Sequence, residues 1–483
     1  KEHPLLPRTS RQLFLHFASK LLMVFMKIKS LIAIILLFWS FNLTSFPLDI
    51  NELSIPNLDS VGLNPAMSDQ LDALVDDYIE KGILQGAVIA VSRNNVPVYF
   101  AAHGWANEIS KIKMRKDSMF QMASSSKPVL GVATMIASER GLLNIQDPVS
   151  KYLPEFAGMK VAVLKEPSDI DISPLGVFPA SDEDVGFFSK LTSKLMTFAF
   201  DGYYFGEIPP HRFVEQKEPL TIHHLLTHTA GLGTDGLGEA LSGWDYLNKG
   251  KKNGAFKEGV TLASITEDAQ KGYLDFQPGS RWSYAKSVGL DVVARIIEIT
   301  SGQPFDEFVR ENIFDPLDMK DTDWNIPEEK LNRLVFIREG GTDGGKPKPT
   351  KWFSGSHSLI STARDYLHFE QMMTNGGQLA GVRILSESSV IEMSTNQVGD
   401  LYSKMEKNKS GAEGMGYTVS VTLDPDKTDR KRGKGAFGWV GIVGTHTWAD
   451  PKNGLAVVIM VQQPTKEFPE EVSQIIFNAI KRD

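Results

Sequence analysis

The sequence predicts a mixed α/β fold of the α+β kind: an antiparallel sheet flanked by helices, with a mostly helical subdomain inserted into it. Three observations carry this expectation. A helix-type pattern near residue 68 is followed by two strand-type runs; strand-type runs and a closing helix return after residue 417; and the stretch between is punctuated by Gly and Pro, with helical rather than strand patterning. The two strand-rich ends are expected to share one sheet.

Taken in order, Ser68 is placed to cap a helix in which Leu71, Leu74, Val75, Tyr78 and Ile79 recur at helical spacing and which Gly82 closes. Residues 87–92 and 96–101 read as strands of a hairpin turning at Asn94 and Asn95, with a further turn at His103 and Gly104. Residues 222–226, 288–299 and 305–312 read as helices of the middle region. Residues 417–423, 441–448 and 455–461 read as strands, and 470–480 as the last helix. The segments 165–217 and 340–351 match no element, and connections of that length are usually functional or disordered. The expected organisation is a linker over 47–66 and one domain over 67–483. Within it, 67–164 and 350–483 form the sheet subdomain, and 165–349 the helical subdomain and insertion.

Ahead of this domain, Met26, Lys27 and Lys29 precede an apolar run over 31–39, a basic segment followed by a short hydrophobic one. Residues 26–46 therefore read as a signal peptide or an uncleaved anchor, implying a periplasmic or secreted location, and 1–25 as upstream reading frame, with Met26, or alternatively Met23, as the start. The apolar run falls short of the roughly 20 residues a spanning helix needs.

Lys and Arg number 51 against 59 Asp and Glu. Residues 1–46 hold six basic residues and one acidic, so the body carries 45 basic against 58 acidic side chains. An acidic body disfavours nucleic acid and anionic membrane as partners, since both are held by cationic surfaces; any membrane attachment would run through the N-terminal anchor. The basic run at Lys427, Arg430, Lys431, Arg432 and Lys434 reads as a solvated loop. With no cysteine, disulfides, thiolate nucleophiles and thiolate metal ligands are excluded. His224 and His228 are four apart but lack the glutamate and third ligand of a zinc helix, so no metal or other cofactor is expected, and His228 reads as structural. His446 reads as a strand residue without a proton-transfer role, and Trp282 and Trp448 as packed aromatics.

The chemistry-bearing pattern is Ser124-Ser125-Ser126-Lys127, followed by Pro128 and the apolar positions Val129, Val132, Ala133 and Ile136. It places a serine at a helix start with a lysine one turn on, and residues three apart share a helix face. The amine can then take the proton of a hydroxyl that is otherwise a weak nucleophile, while the helix N-terminus offers N–H groups to a developing oxyanion. Ser110–Lys113 and Ser283–Lys286 also fit Ser-x-x-Lys, but only the first copy sits between a strand-turn region and a proline-started helix. No Gly-x-Ser-x-Gly surrounds any serine, which disfavours an α/β-hydrolase elbow.

Around Ser124, Phe120-Gln121-Met122-Ala123 precede the motif, and further motifs follow in order. These are Asp147-Pro148-Val149-Ser150-Lys151-Tyr152-Leu153-Pro154, Leu225-Leu226-Thr227-His228-Thr229-Ala230-Gly231-Leu232, Pro278-Gly279-Ser280-Arg281-Trp282-Ser283-Tyr284, Ile313-Phe314-Asp315-Pro316-Leu317-Asp318-Met319-Lys320 and Leu359-Ile360-Ser361-Thr362-Ala363-Arg364-Asp365-Tyr366. Over about residues 68–480 the chain resembles the serine β-lactamase-like hydrolases: class C β-lactamases, DD-peptidases and the carboxylesterases that share their fold. The resemblance implies a β-lactamase-like fold with the site in the cleft between its subdomains. It also implies that Tyr284 assists proton transfer beside Lys127, in a Tyr-x-Asn motif whose asparagine is replaced here by Lys286. An inward Lys286 ammonium about 4 Å from a second cation would be repelled by roughly 4 kcal/mol at an effective dielectric of about 20; an outward one would lie in solvent, and both arrangements are open. The family's Lys-Thr-Gly triplet has its counterpart in Trp439-Val440-Gly441, which resembles the carboxylesterase branch, and the N–H groups of Ser124 and Ile442 would form the oxyanion hole.

The expected function is a serine hydrolase acting through an acyl-enzyme on a small-molecule ester or amide, most naturally a neutral carboxylic ester. Lys286, Trp439 and Gly441 are the expected substrate-binding positions. Arg432 or Lys434 as a carboxylate anchor would favour a β-lactamase or DD-peptidase instead, and the changes at Lys286 and Trp439 keep a catalytically silent binding protein open.

Overall fold

The computed structural model describes residues 57–165, 210–234, 236–242, 259–337, 349–405 and 410–481, Pro347, and short strand pieces within 178–205 and 251–256. The signal or anchor segment, the upstream residues and most of 165–217 and 340–351 lie outside the described residues.

The two ends of the chain build one eight-stranded antiparallel sheet. Its strands are β1 (Gly86–Arg93), β2 (Val96–Asn107), β3 (Ile112–Lys113), β4 (Glu413–Met415), β5 (Ser420–Thr422), β6 (Phe437–Val440), β7 (His446–Asp450) and β8 (Leu455–Met460), in the order β4-β5-β6-β7-β8-β1-β2-β3. The hairpin from β1 to β2 turns on Asn94 and Asn95, at φ 50° and 63°, a left-handed pair that asparagine tolerates better than most residues and that matches the twist of the strands. The β1–β8 pairing, Val88↔Met460 through Arg93↔Leu455, joins the N-terminal and C-terminal halves of the sheet.

Alternation along β1 sends Ala87, Ile89 and Val91 to one face, where they meet Val457 and Ile459 of β8 and two helices, α1 (Ala66–Glu80) and the C-terminal helix Glu467–Ala479. Met67, Leu71 and Val75 of α1 and Phe468, Val472 and Ile476 opposite are fully buried. Each such side chain contributes roughly 1.5–3 kcal/mol by leaving water. The opposite face is covered by the helix Ala363–Thr374, which packs on β8, β1 and β7.

The folded chain begins earlier than the sequence suggests. Leu58 and Leu63 are buried in the α1 core, so the end of the expected 47–66 linker belongs to the domain. Helix α1 starts at Ala66, with Asn64 accepting from the Ala66 N–H at 3.0 Å, so Ser68 lies inside the first turn rather than at its cap.

The inserted region is helical where expected: α2 (Lys127–Glu139) leads into it, and α3 (Ile222–Leu226) and α4 (Val288–Ser301) form its core with Leu262–Ala269. It also contains a small sheet that the sequence reading lacked, in which Lys160–Leu164 pairs with His211–Val214 on one side and Tyr273–Leu274 on the other. These strands are short and, at His211-Arg212, polar, so they leave little periodic signal.

Candidate active site

Ser124 lies in a turn of 3-10 helix, Ala123–Ser126, that runs directly into α2, and Lys127 is the first residue of α2. The turn is fixed from three sides. Met119–Gln121 pairs with Ile360–Thr362, the Met122 N–H donates to the Leu359 carbonyl at 2.8 Å, and the Tyr366 hydroxyl donates to the Ser125 carbonyl at 2.5 Å. Ala123 is held at φ 46°, an unfavourable conformation for a residue with a Cβ that persists only where its surroundings impose it. Ser124 itself is partly exposed, while Ser125, Ser126 and Lys127 are buried.

Lys127 is fully buried, and its Nζ donates to Ser124 Oγ at 3.1 Å and to the carbonyls of Lys286 and Ser356, each at 3.0 Å. The Tyr284 hydroxyl lies 2.8 Å from Ser124 Oγ. With two carbonyls holding two of the amine hydrogens, the third direction points at the serine oxygen. An uncharged amine so held would present its lone pair to the hydroxyl. Burial acts to raise the proton affinity of the Tyr284 phenol. The Lys127 charge and hydrogen bonds from Lys127, Ser124 and Trp439 outweigh it, so the phenol falls below the ordinary tyrosine value. Two titratable groups therefore meet at the Ser124 hydroxyl.

His228, Trp282 and Trp439 pack around Tyr284, the His228 and Trp439 rings stacking at 6.0 Å. His228 is fully buried and accepts from the Ala285 N–H at 3.2 Å. Burial, then the Lys127 charge, lower its proton affinity to about 3, so it is neutral at ordinary pH. The Trp439 ring lies against the Tyr284 ring, centroids 5.8 Å apart and tilted by 34°. Lys286 is an exposed residue, and its carbonyl oxygen is an acceptor for the Lys127 amine.

Trp439 and Val440 end β6, and Gly441 opens the turn into β7 rather than entering a strand beginning at 442. A Cβ on Gly441 would stand 2.4 Å from the Met122 carbonyl oxygen and 2.3 Å from Thr445 Oγ1. The absence of a side chain lets this turn lie against the segment that carries Ser124. Thr445 fastens the two, donating to the Met122 carbonyl at 2.9 Å and meeting Ser125 Oγ at 3.0 Å. Ile442 stands in that turn, 80 % exposed. A cavity of about 600 Å³ borders the same turn, lined by Gly441, Ile442, His446 and Arg430 among others; Ser124, Lys127 and Tyr284 do not line it.

The basic run 427–434 is not uniformly solvated. Arg432 is 1 % exposed, contacts His446 and covers the Trp448 ring at 5.4 Å. Burial, then Arg430, lowers its proton affinity to about 9, opposed by Glu413, Glu370 and Asp450. Its guanidinium is an interior charge with interior partners. His446 is held neutral by burial and by Arg432. His224 accepts from the Thr221 N–H as part of a capping box on α3, a structural use. Sequence reasoning missed Ser356, Thr445 and the buried Asp291. Ser356 contributes only a carbonyl, which leaves no mark on residue type; Tyr366 was visible only as part of a longer motif.

Fold and site together bring a serine, a lysine and a tyrosine to one point on a scaffold of antiparallel sheet and helices. A family model described as Beta-lactamase matches residues 71–163 and 208–478, and the chain belongs to that family. It is similar to esterase EstB of Burkholderia gladioli, with 26% identity over 426 residues covering 82% of this chain and 90% of that one. It is also similar to a Salmonella enteritidis protein named as a candidate D-alanyl-D-alanine carboxypeptidase, with 23% identity over 469 residues covering 90% and 91%. Among solved structures, EstCE1, a hydrolase with promiscuous acyltransferase activity, superposes with a TM-score of 0.63 at 20% identity, covering 85% of this chain and 98% of the other. The large antiparallel sheet with flanking helices is the β-lactamase fold.

Proposed function

We propose that this chain is a serine hydrolase that works through an acyl-enzyme on neutral carboxylic esters. The observation that carries the reading is the convergence of Lys127 Nζ and the Tyr284 hydroxyl on Ser124 Oγ, at 3.1 and 2.8 Å. Ser124 Oγ attacks the ester carbonyl as Lys127, with Tyr284, takes its proton. The N–H groups of Ser124 and Ile442 receive the oxyanion; the alcohol leaves with the proton, and water repeats the sequence on the acyl-enzyme.

Three features favour an ester over an anionic substrate. Trp439 occupies the position where the family's lysine attracts a carboxylate, and it is turned to Tyr284. Arg432, one of the two cationic candidates in the basic run, is enclosed. Lys286 replaces the amide-binding asparagine and is exposed. The relative named an esterase agrees with this choice; the one named a carboxypeptidase supports the β-lactam or D-amino-acid peptide alternative. The N-terminal segment 26–46 supports a periplasmic or secreted location.

Mass spectrometry of the folded protein treated with a fluorophosphonate, together with p-nitrophenyl butyrate and nitrocefin assays, tests the reading. Labelling on Ser124 with ester turnover is expected. Turnover of nitrocefin with little ester hydrolysis would move the assignment to the β-lactamase branch, and a folded protein that neither labels nor turns over would leave a silent binding scaffold.

A further inference from the structure

Two backbone carbonyls hold the Lys127 amine, and both are referred to one buried carboxylate. The Lys286 carbonyl precedes α4 by two residues. One turn into α4, Asp291 is fully buried and accepts three hydrogen bonds from a single loop: Trp352 Nε1 at 2.9 Å on Oδ2, and Ser354 Oγ at 2.7 Å and the Gly355 N–H at 3.0 Å on Oδ1. Ser354 Oγ in turn accepts the Ser356 N–H at 3.1 Å and lies 2.9 Å from Ser356 Oγ. Ser356 supplies the second carbonyl, 3.0 Å from Lys127 Nζ. The loop is pressed between helices, since a Cβ on Gly355 would meet Leu130 of α2 and Ala294 of α4 at 3.0–3.2 Å.

A carboxylate in such a place is costly unless charge and hydrogen bonds offset it. Apolar packing or a serine would hold the same loop without that cost. Burial pushes the Asp291 carboxyl up to about 6, opposed by the hydrogen bonds from Ser354, Trp352 and Gly355 and then by the Lys127 charge. The Lys127 charge also acts on Tyr284 and on the neutral His228.

We propose that Asp291 is the positioning residue of this site: through the 352–356 loop it fixes the carbonyl that aims the Lys127 amine at Ser124. The inference rests on the hydrolase reading above. It predicts that loosening the loop misdirects the amine and lowers kcat while KM changes little.

The test uses Asp291→Asn, the double variant Asp291→Asn/Trp352→Phe, and Ser354→Ala, each checked by thermal unfolding and assayed with p-nitrophenyl butyrate across pH. The double variant matters because an asparagine amide would face the Trp352 N–H donor to donor, and phenylalanine removes that conflict. In both Asp291 variants kcat should fall about 30-fold or more with KM within about threefold. Ser354→Ala, which removes one hydrogen bond from the same loop, should lower kcat about 10-fold with KM again little changed. A folded double variant with wild-type kcat would overturn the proposal, because the defect would then be packing alone. Wild-type protein that fails to label at Ser124 removes the hydrolase reading and this inference together. Wild type that labels beside indifferent variants removes only this one.

Discussion

Two Ser-x-x-Lys segments meet at this site, and they are built differently. Ser124–Lys127 spans a helical turn, so serine and lysine share a face and the lysine is buried against the serine. Ser283–Lys286 lies in irregular backbone before α4; its Tyr284 turns inward while its lysine is exposed, and only its carbonyl reaches Lys127. A third copy, Ser110–Lys113, ends in an exposed strand where Lys113 rests over the Trp105 ring at 3.9 Å. Residue pattern alone does not make a nucleophile. A helical backbone and enclosure of the amine separate the first copy from the others.

That contrast can be broken at either segment. The largest effect is expected from Ser124→Ala and Lys127→Ala, each lowering ester kcat/KM by about 10³-fold or more, measured on p-nitrophenyl butyrate. Comparable losses from Ser283→Ala would break the comparison. Tyr284→Phe removes the hydroxyl that meets Ser124 Oγ and should cost about 10²-fold in kcat, with KM little changed. Gly441→Ala must push the 441–445 turn away from Met122, and a loss of about 10–10²-fold in kcat in a protein that still labels slowly with fluorophosphonate is expected. Lys286→Met should change kcat/KM by less than about threefold, because the carbonyl and not the ammonium engages Lys127.

A titration sharpens the structural side of the contrast. His228 lies beneath Tyr284 with its proton affinity lowered to about 3 from the usual 6.5 by burial and by Lys127. The unfolded chain binds that proton more readily. The stability from this residue is thus present above about pH 6.5 and lost as pH falls toward 3, by up to about 1.4 kcal/mol per unit. Glu370 works in the opposite sense: burial raises its carboxyl to about 8, and its contribution is lost as pH rises through that value. The difference between wild type and His228→Asn, a residue that tolerates the φ of 59° here, isolates the histidine. Urea unfolding at pH 5 and pH 7 should show a smaller loss on acidification in the variant.

Much of this molecule is legible in its sequence because its strongest signals are periodic. The α1 stripe, the Asn94-Asn95 hairpin, α4 and the C-terminal strand and helix each repeat an apolar position at the spacing their structure requires. The hairpin from β6 to β7 is harder to place. Val440-Gly441-Ile442-Val443 looks like uninterrupted strand, whereas the turn is made by Gly441 and by Gly444 at φ 111°. Arg432 groups with its basic neighbours in solvent because composition cannot reveal that one of them faces inward. The helical pairing of Ser124 with Lys127 follows from spacing. The acceptors that hold the amine do not, since a backbone carbonyl belongs to every residue equally.

The sheet that closes around Ser124 has a consequence for the life of the chain before it folds. Ser125 waits for Thr445, 320 residues later, and β1 takes its partner β8 from the far side of the domain. A nascent chain emerging N-terminus first therefore carries Ser124 without its flanking hairpin until β6 and β7 have been made, and folding must then close a very long loop. The site is assembled late, when the whole domain is available to enclose it.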